Sequence, residues 1–359
     1  MAFDGLTFIR VTCDLRLRTM PFHEIIGHEQ PKAILRTALV HDRLAHALLF
    51  HGSEGIGKRL VALCFAQAIN CDTPHGPEGP DACGICRSCL QILAHTHPDF
   101  RVIEPDREAA NPQIKIEQIR ELGQHIIYRP LVGQWKVCLI DEADRLTLGA
   151  ANALLKTLEE PPAYSLFILI TSRPSALPAT VRSRCQGIRF AAPARTQVEA
   201  ALITKKEIPP EDARYLAVIT QSRIGHALTL DANATRALQD EFNTLVSPQT
   251  LRSVSTLLTV AEALHKSDRG QEALEWIAQW VRDLILVRVG ADPDSLLNLD
   301  RLPALQEAAR GAHLDALLEL HEDLDAMARA ATRNLNPQMA LENVLLRLRD
   351  ALCAGAVSD

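Results

Sequence analysis

The sequence predicts an α/β domain with a parallel sheet covered by helices on both faces, followed by two helical domains. Apolar runs at residues 47–50, 136–140 and 166–170 alternate with segments of helical composition, such as 60–69, 116–127 and 152–160. This alternation is typical of parallel strands that are buried on both faces. After about residue 190 no further run of this kind occurs, and helical segments continue to the end. A chain of 359 residues is long enough for two or three domains.

Proline-containing breaks suggest where the domains begin and end. We expect residues 1–19 to be a disordered extension, or an upstream over-annotation of a chain that starts at Met20. Residues 20–189 contain the sheet, residues 190–247 form a small helical domain, and residues 248–359 form a helical bundle. In the bundle an apolar stripe recurs at helical spacing. Its residues are Leu274, Ile277, Trp280 or Val281, and Leu284.

A phosphate-binding loop is predicted directly after the first strand. The loop follows the pattern Gly-x4-Gly-Lys, with Gly52, Gly55, Gly57 and Lys58. In such a loop backbone N–H groups converge on phosphate oxygens, and the lysine reaches the β/γ-phosphates. The next residue should be Ser or Thr, whose hydroxyl holds Mg²⁺, but here it is Arg59, which has no lone pair to offer. A glycine turn without a ligand is the alternative interpretation.

Polar residues follow two later strands. Asp141 and Glu142 come directly after the run 136–140. In an ATPase such an Asp holds Mg²⁺ through water, and the Glu polarises the attacking water. Thr171 ends the next strand, where a polar side chain can sense or orient a bound phosphate. Solvated acids at a strand end are the alternative for Asp141 and Glu142.

Four cysteines in the loop-rich segment 71–99 predict a metal site. They are Cys71, Cys83, Cys86 and Cys89. Four thiolates suit tetrahedral Zn²⁺ and leave no open position, so the predicted zinc is structural. An iron–sulfur cluster is the chemical alternative. A second alternative is that His75, His95 or His97 replaces one cysteine.

Composition restricts the class of function. The formal net charge of −6 argues against binding nucleic acid through a dominant basic surface. No apolar run approaches the roughly 20 residues of a membrane span, so we expect no membrane partner. No signal peptide is apparent, and nine cysteines then indicate a reduced cytoplasm with a metal site rather than disulfides.

Together these residues resemble the clamp-loader group of the AAA+ ATPases. The resemblance runs from about Pro21 to Leu348 and rests on motifs that occur in one order. They are residues 25–30, 52–58, the four cysteines, 141–144, 154–162 (Leu-Leu-Lys-Thr-Leu-Glu-Glu-Pro-Pro), 183–185 (Ser-Arg-Cys) and 334–342.

The resemblance implies an AAA+ domain with a zinc module held by the four cysteines, a lid domain and a collar domain. It implies a hetero-oligomer of five subunits, with tau/gamma-type motor subunits and a delta subunit, that places a sliding clamp on primed DNA. This assembly belongs to the DNA polymerase III holoenzyme, in which the chain is not the polymerase itself. Arg184 is implied to act in trans as an arginine finger on a neighbouring ATPase subunit. Taken alone, Arg184 would be interpreted as a surface arginine.

Two departures from a motor subunit predict little or no hydrolysis. The first is Arg59, and the second is Gly225, which replaces the arginine of the motor pattern Gly-Ser-x-Arg-x-Ala-Leu. Arg223 and His226 flank that position, and Lys58 and the acids remain, so weak ATP binding stays open. The predicted function is a non-motor stator subunit. The alternatives are an ATP-hydrolysing tau/gamma-like motor or another AAA+ remodeller, and a zinc-stabilised DNA-binding module, which the negative charge disfavours.

Overall fold

The computed structural model describes residues 21–353, except 77–78, 108–111, 246–250, 252, 268 and 331–336. The chain divides into two compact units, Met1–Thr229 and Leu230–Asp359. The predicted extension at 1–19, Met20, and part of the 334–342 motif lie outside the described residues. Among the described helices, none combines the length and apolar character needed to cross a bilayer.

A parallel sheet forms the centre of the first unit, as the alternating pattern predicts. In the described part of the chain its strands are β1 (Ala47–His51), β2 (Phe100–Ile103), β3 (Lys136–Ile140), β4 (Ser165–Thr171) and β5 (Gln186–Arg189). The spatial order is β2-β3-β4-β1-β5, and every neighbouring pair is parallel. All residues of β3 and β4 are buried. Because parallel strands end at one edge, the phosphate-binding loop, Asp141 and Thr171 emerge on the same side of the sheet.

Helices cover both faces of this sheet. They are α1 (Glu29–Val40), α2 (Lys58–Ile69), α3 (Arg87–Leu93), α4 (Ile116–Ile126), α5 (Leu148–Glu159) and α6 (Ala179–Arg182). Three further helices follow β5 and pack on one another: α7 (Arg195–Lys206), α8 (Pro210–Ile219) and α9 (Ile224–Thr229). One core cluster joins α1, α2 and α3 to one face of the strands, with Phe50 and Phe65 inside it. A second cluster joins α4, α5 and α6 to the opposite face around Phe167. Adjacent strand residues such as Phe167 and Ile168 enter different clusters, as the period of two requires.

Two elements differ from the sequence-based expectation. The edge strand β5 is not predicted, because only Ile188 of its four residues is buried and the segment lacks an apolar run. Helix α5 begins at Leu148, earlier than the predicted helix at 152–160, because Thr147 caps it. The hydroxyl oxygen of Thr147 accepts the N–H of Ala150 at 3.2 Å.

The second unit is helical. Its described helices are α10 (Ala232–Leu245), α11 (Val254–Lys266), α12 (Gly270–Arg288), α13 (Leu302–Arg310), α14 (Leu314–Ala330) and α15 (Pro337–Cys353). The predicted stripe on α12 is confirmed, since Ile277, Val281 and Leu284 are buried in one core cluster.

The start of this unit differs from the predicted boundary at 247/248. Helix α10 falls in the predicted small helical domain at 190–247, but the compact unit begins at Leu230. The reason is packing: Phe242 of α10 stacks on Trp276 of α12, with ring centroids 5.7 Å apart.

Candidate functional site

The loop between β1 and α2 has the backbone shape of a phosphate-binding loop. Gly52, Gly55 and Gly57 have φ values of 149°, 74° and 107°, a region that favours glycine. A Cβ at Gly52 would lie 2.2 Å from the carbonyl oxygen of Phe190, so no other residue fits there. Gly57 directly precedes Lys58, the first residue of α2, and the N–H groups of that helix turn have no partner inside the helix.

Lys58 folds back onto the loop. Its Nζ donates to the carbonyl oxygens of Gly52 at 2.6 Å and Ser53 at 2.5 Å. Only 6% of the residue is exposed. Burial lowers the pKa of Lys58, and the negative charge of Asp141 opposes that effect. The buried ammonium is therefore satisfied by the backbone of its own loop.

Arg59 reaches the acids that follow β2 and β3. Its Nη1 donates to Oδ2 of Asp141 at 2.8 Å and also to the carboxylate of Glu104. Burial alone would lower the pKa of Arg59, but the charges of Asp141 and Glu104 outweigh it and the pKa is raised. Mg²⁺ requires oxygen ligands, and here the expected hydroxyl is absent and the carboxylate of Asp141 is bound to a guanidinium. These residues therefore do not fit Mg²⁺.

Glu104 is a site residue that sequence reasoning missed. It directly follows β2, and its carboxylate meets Arg59, which is 45 positions away in the chain. Its position in the sequence could have indicated this role, because an acid after a parallel strand lies at the same sheet edge as Asp141.

The other two predicted site residues at this edge are paired with protein groups. The Glu142 carboxylate is 2.8 Å from Nη2 of Arg107 and 2.5 Å from Nε of Arg145. The hydroxyl of Thr171 donates to Asp144 at 2.8 Å. The sheet thus places Glu142 and Thr171 at this edge, and each is bound by a neighbouring charged side chain.

Helix α9 covers the loop with its backbone. The N–H of Gly225 donates to the carbonyl oxygen of Gly55 at 3.0 Å. A Cβ at Gly225 would lie only 2.9 Å from that oxygen. An arginine at this position would therefore displace the loop. The Nε of neighbouring Arg223 donates to the carbonyl oxygen of Thr220 at 3.0 Å.

His28 supports the loop from the other side, a role that the sequence analysis did not assign. Its Nε2 is 2.7 Å from the carbonyl oxygen of Ile56, and its ring packs edge-on against Phe190 with centroids 5.1 Å apart. Burial lowers the pKa of His28, so the neutral ring donates this hydrogen bond at pH 7. Its place in the motif at residues 25–30 was the feature of the sequence that could have indicated this role.

The four predicted cysteines converge on one point. The Sγ atoms of Cys71, Cys83, Cys86 and Cys89 all lie within 4.8 Å of one another. The Sγ atoms of Cys71 and Cys86 are 3.9 Å apart. Two sulfurs in a tetrahedral site with Zn–S bonds of about 2.3 Å are separated by about 3.8 Å. The donor set and spacing therefore fit a tetrahedral metal ion such as zinc, and iron also accepts four thiolates.

Backbone groups support the cysteine cluster. The N–H groups of Cys83 and Cys86 donate to the sulfurs of Cys71 and Cys83, each at 3.3 Å, which favours thiolates. From α2, the side chain of Gln67 donates to the carbonyl oxygen of Cys89 at 2.8 Å. This bond ties the cysteine segment to the core of the first unit.

Among the described residues no histidine joins this cluster. Nδ1 of His97 accepts the N–H of Asp99, and the ring of His75 bonds to the carbonyl oxygen of Thr73. The alternative in which a histidine replaces a cysteine is therefore not supported.

Arg184 lies just after α6, outside the site around the phosphate-binding loop. Its Nη2 is 2.6 Å from the carboxylate of Glu159, and its Nη1 donates to the carbonyl oxygen of Thr180 at 3.0 Å. The two side chains of the ion pair are 35% and 50% exposed. Such a solvated pair contributes about 0–1 kcal/mol, so the guanidinium is held only weakly.

Comparison with known proteins agrees with this architecture. A family model described as "DNA polymerase III, delta subunit" matches residues 27–194, and the model of the C-terminal part of that subunit matches residues 239–350. The DNA polymerase III subunit delta′ of Yersinia pestis is 32% identical over 324 residues, covering 87% of this chain and 92% of the relative. The delta′ subunit of Bacillus subtilis is 29% identical, covering 89% of this chain and 96% of the relative.

Other relatives match only in part. The tau/gamma subunit of Haemophilus influenzae is 39% identical over 222 residues, which cover 60% of this chain. The match spans 31% of that relative, so the chain corresponds to about a third of its length. Among solved structures, a gamma-subunit-related protein of Thermotoga maritima covers 88% of this chain at 19% identity, with a TM-score of 0.42. Because the Yersinia delta′ subunit is matched over nearly its whole length and both family models match in order, the chain belongs to the delta′ family of DNA polymerase III subunits.

Proposed function

We propose that the chain is the stator subunit of the DNA polymerase III clamp loader, with little or no ATP hydrolysis of its own. The observation that carries this proposal is the bond from Arg59 to Asp141 at 2.8 Å. The bond supports the proposal because a carboxylate that is bound to a guanidinium is not available to the metal ion on which phosphoryl transfer depends. Contacts to a transferring phosphoryl group are worth orders of magnitude in rate, so losing them makes turnover slow.

The phosphate-binding loop keeps a nucleotide-binding role in this proposal. The residues involved are Gly52, Gly55, Gly57, Lys58, Arg59, Asp141, Glu142 and Thr171. The support is the glycine backbone of the loop and the position of Lys58 at the start of α2. Both features suit phosphate oxygens.

Arg184 acts in trans on the ATP of a neighbouring subunit. An arginine placed against a transferring phosphoryl group stabilises the charge of the transition state. Its weak, solvated pairing with Glu159 supports this role, since exchanging that carboxylate for a phosphate costs little.

The remaining parts have structural roles in the cytoplasmic assembly. Zinc on the four cysteines is a structural clip within the first unit. The helical second unit serves as the collar that joins this chain to the tau/gamma motor subunits and the delta subunit. The assembly then acts on the sliding clamp and primer–template DNA.

The test is the clamp- and primed-DNA-stimulated ATPase of the reconstituted assembly with Arg184→Ala. Hydrolysis should fall by at least about tenfold, because removing an arginine finger costs orders of magnitude in rate. Arg182→Ala is the matched control, since Arg182 is an exposed arginine at the end of α6, two residues before Arg184. Gel filtration checks that each variant still assembles. Normal turnover by an assembled Arg184→Ala complex would refute the proposed role in trans.

The 39% identity to a tau/gamma subunit favours a second candidate, an ATP-hydrolysing motor of the same assembly. Steady turnover of Mg-ATP by the isolated chain, abolished by Lys58→Ala, would support that candidate. Absence of turnover supports the stator.

A further inference from the structure

We propose that Arg59 takes the place of magnesium in the phosphate-binding site, so that a nucleoside di- or triphosphate binds there as the metal-free anion. The inference rests on the nucleotide-binding role proposed for the loop. It concerns the form of the ligand and is independent of the role of Arg184.

The first support is that both oxygens of Asp141 are already bound. Oδ2 accepts from Nη1 of Arg59 at 2.8 Å, and Oδ1 accepts the N–H of Glu142 at 2.9 Å. The nearby carboxylate of Glu104 is bound to the same Nη1. A magnesium ion would have to displace the guanidinium from two carboxylates before it could bind.

The second support is that the Arg59 guanidinium has hydrogen-bond donors that the described residues do not use. Both carboxylate bonds use Nη1, while Nη2 and Nε bond to no described residue. The Arg59 side chain is 36% exposed, so a ligand can reach it. The planar fork of an arginine matches phosphate oxygens, and here one nitrogen is fixed by the protein while the others remain available.

The third support is the charge of Arg59 and its position. The guanidinium follows Lys58 at the start of α2, so two basic side chains adjoin the glycine loop. Magnesium in solution binds the same phosphate oxygens that these cations would use. It would also bring a further positive charge close to Arg59. Adding magnesium should therefore leave the nucleotide affinity unchanged or reduce it.

The experiment is a calorimetric titration of the full-length chain with ATP and with ADP, each in EDTA and in millimolar Mg²⁺. For the wild-type chain we expect the dissociation constant in EDTA to be no larger than in Mg²⁺. For Arg59→Thr, which frees Asp141 and supplies a hydroxyl, we expect binding at least about tenfold tighter in Mg²⁺ than in EDTA.

The matched control is Arg107→Thr. It removes one positive charge at the same sheet edge, but from Glu142 rather than Asp141. This variant should keep the metal-independent binding of the wild type. Arg59→Lys, which keeps a cation at the position, should also remain independent of magnesium.

Two results would overturn the inference. One is wild-type binding that requires Mg²⁺, and the other is no nucleotide binding in either buffer. A magnesium requirement in Arg59→Lys would also count against it. None of these results bears on the ATPase of the assembly with Arg184→Ala, which tests the stator role separately.

Discussion

Because Gly225 has no side chain, its backbone can approach the glycine loop after β1. Its N–H donates to the carbonyl oxygen of Gly55, and an added Cβ would approach that oxygen to 2.9 Å. In a helix, alanine is intrinsically favoured over glycine by about 1 kcal/mol. An added Cβ would contact the backbone of the glycine loop, which cannot move aside as a flexible side chain can. The steric cost should therefore exceed the gain in helix propensity.

We therefore predict that Gly225→Ala destabilises the first unit by about 1–3 kcal/mol, the usual cost of overpacking. Thermal or urea unfolding of the full chain measures it. Gly123→Ala is the matched control, because Gly123 lies in α4 with nothing within 4 Å of an added Cβ. The control should be neutral or more stable by up to about 1 kcal/mol. Equal stability of the two variants would contradict the steric argument.

The segment between α4 and β3 is an element held by one buried carboxylate. Asp99, which is 1% exposed, accepts the N–H groups of Leu131, Val132 and Gly133 at 2.7, 2.8 and 2.8 Å. Burial alone would raise the pKa of Asp99, but these three bonds to the charged form outweigh it and the pKa is lowered. The loop conformation therefore depends on an ionised side chain.

We predict that Asp99→Asn costs about 2 kcal/mol, because the amide loses the charge and faces the N–H groups with donors of its own. Since the folded pKa lies below the ordinary value of 3.8, the stabilisation is present above that pH. It should be lost as the pH falls through the lowered pKa, so wild type and variant should converge in acid. Unfolding curves at several pH values measure this effect.

The exposed acid Asp106 provides the control for that prediction. Its side chain is 45% exposed, and Asp106→Asn should change stability by no more than about 0.5 kcal/mol. If Asp99→Asn destabilised the chain equally at neutral and acid pH, ionisation would not be the cause.

At the scale of the whole molecule, the four-cysteine cluster lies within the first unit. The four cysteines lie in Met1–Thr229 and pack against its core, whereas Leu230–Asp359 has a core of its own. Structural metal contributes directly to the stability of the domain that holds it. Removal of the metal should therefore affect the two units unequally.

We predict that chelation lowers the unfolding midpoint of the first unit, by about 2–4 °C for each kcal/mol lost in a domain of this size, and leaves the second unit unchanged. Hydrogen exchange along a temperature series, read by mass spectrometry, resolves the two units. Cys89→Ser is the control, since chelation should have little further effect on a chain with three ligands. Elemental analysis should find zinc, and an unchanged midpoint in a chain without metal would contradict the prediction.

Local pattern was sufficient for much of this protein. Apolar runs flanked by helical segments predicted β1, β3 and β4, because burial on both faces of a parallel strand leaves a signal within a few residues. The spacing of the glycines and cysteines predicted the backbone shape of the loop after β1 and the convergence of the four cysteines, because both depend on residues close together in the chain. The identity of Arg59 alone predicted that a metal ligand is missing.

Other features were decided by tertiary structure. Sequence alone identified Arg59 as a departure, but not that its guanidinium binds Asp141, 82 positions away, together with Glu104. Nor did it show that Gly225 packs on Gly55, or that α10 joins the second unit. These contacts join residues distant in the chain, and no local periodicity encodes which distant groups meet. The sequence determined the glycine loop, Lys58, Arg59 and the acid after β3, and the fold determined that the cation beside Asp141 is one of the protein's own side chains.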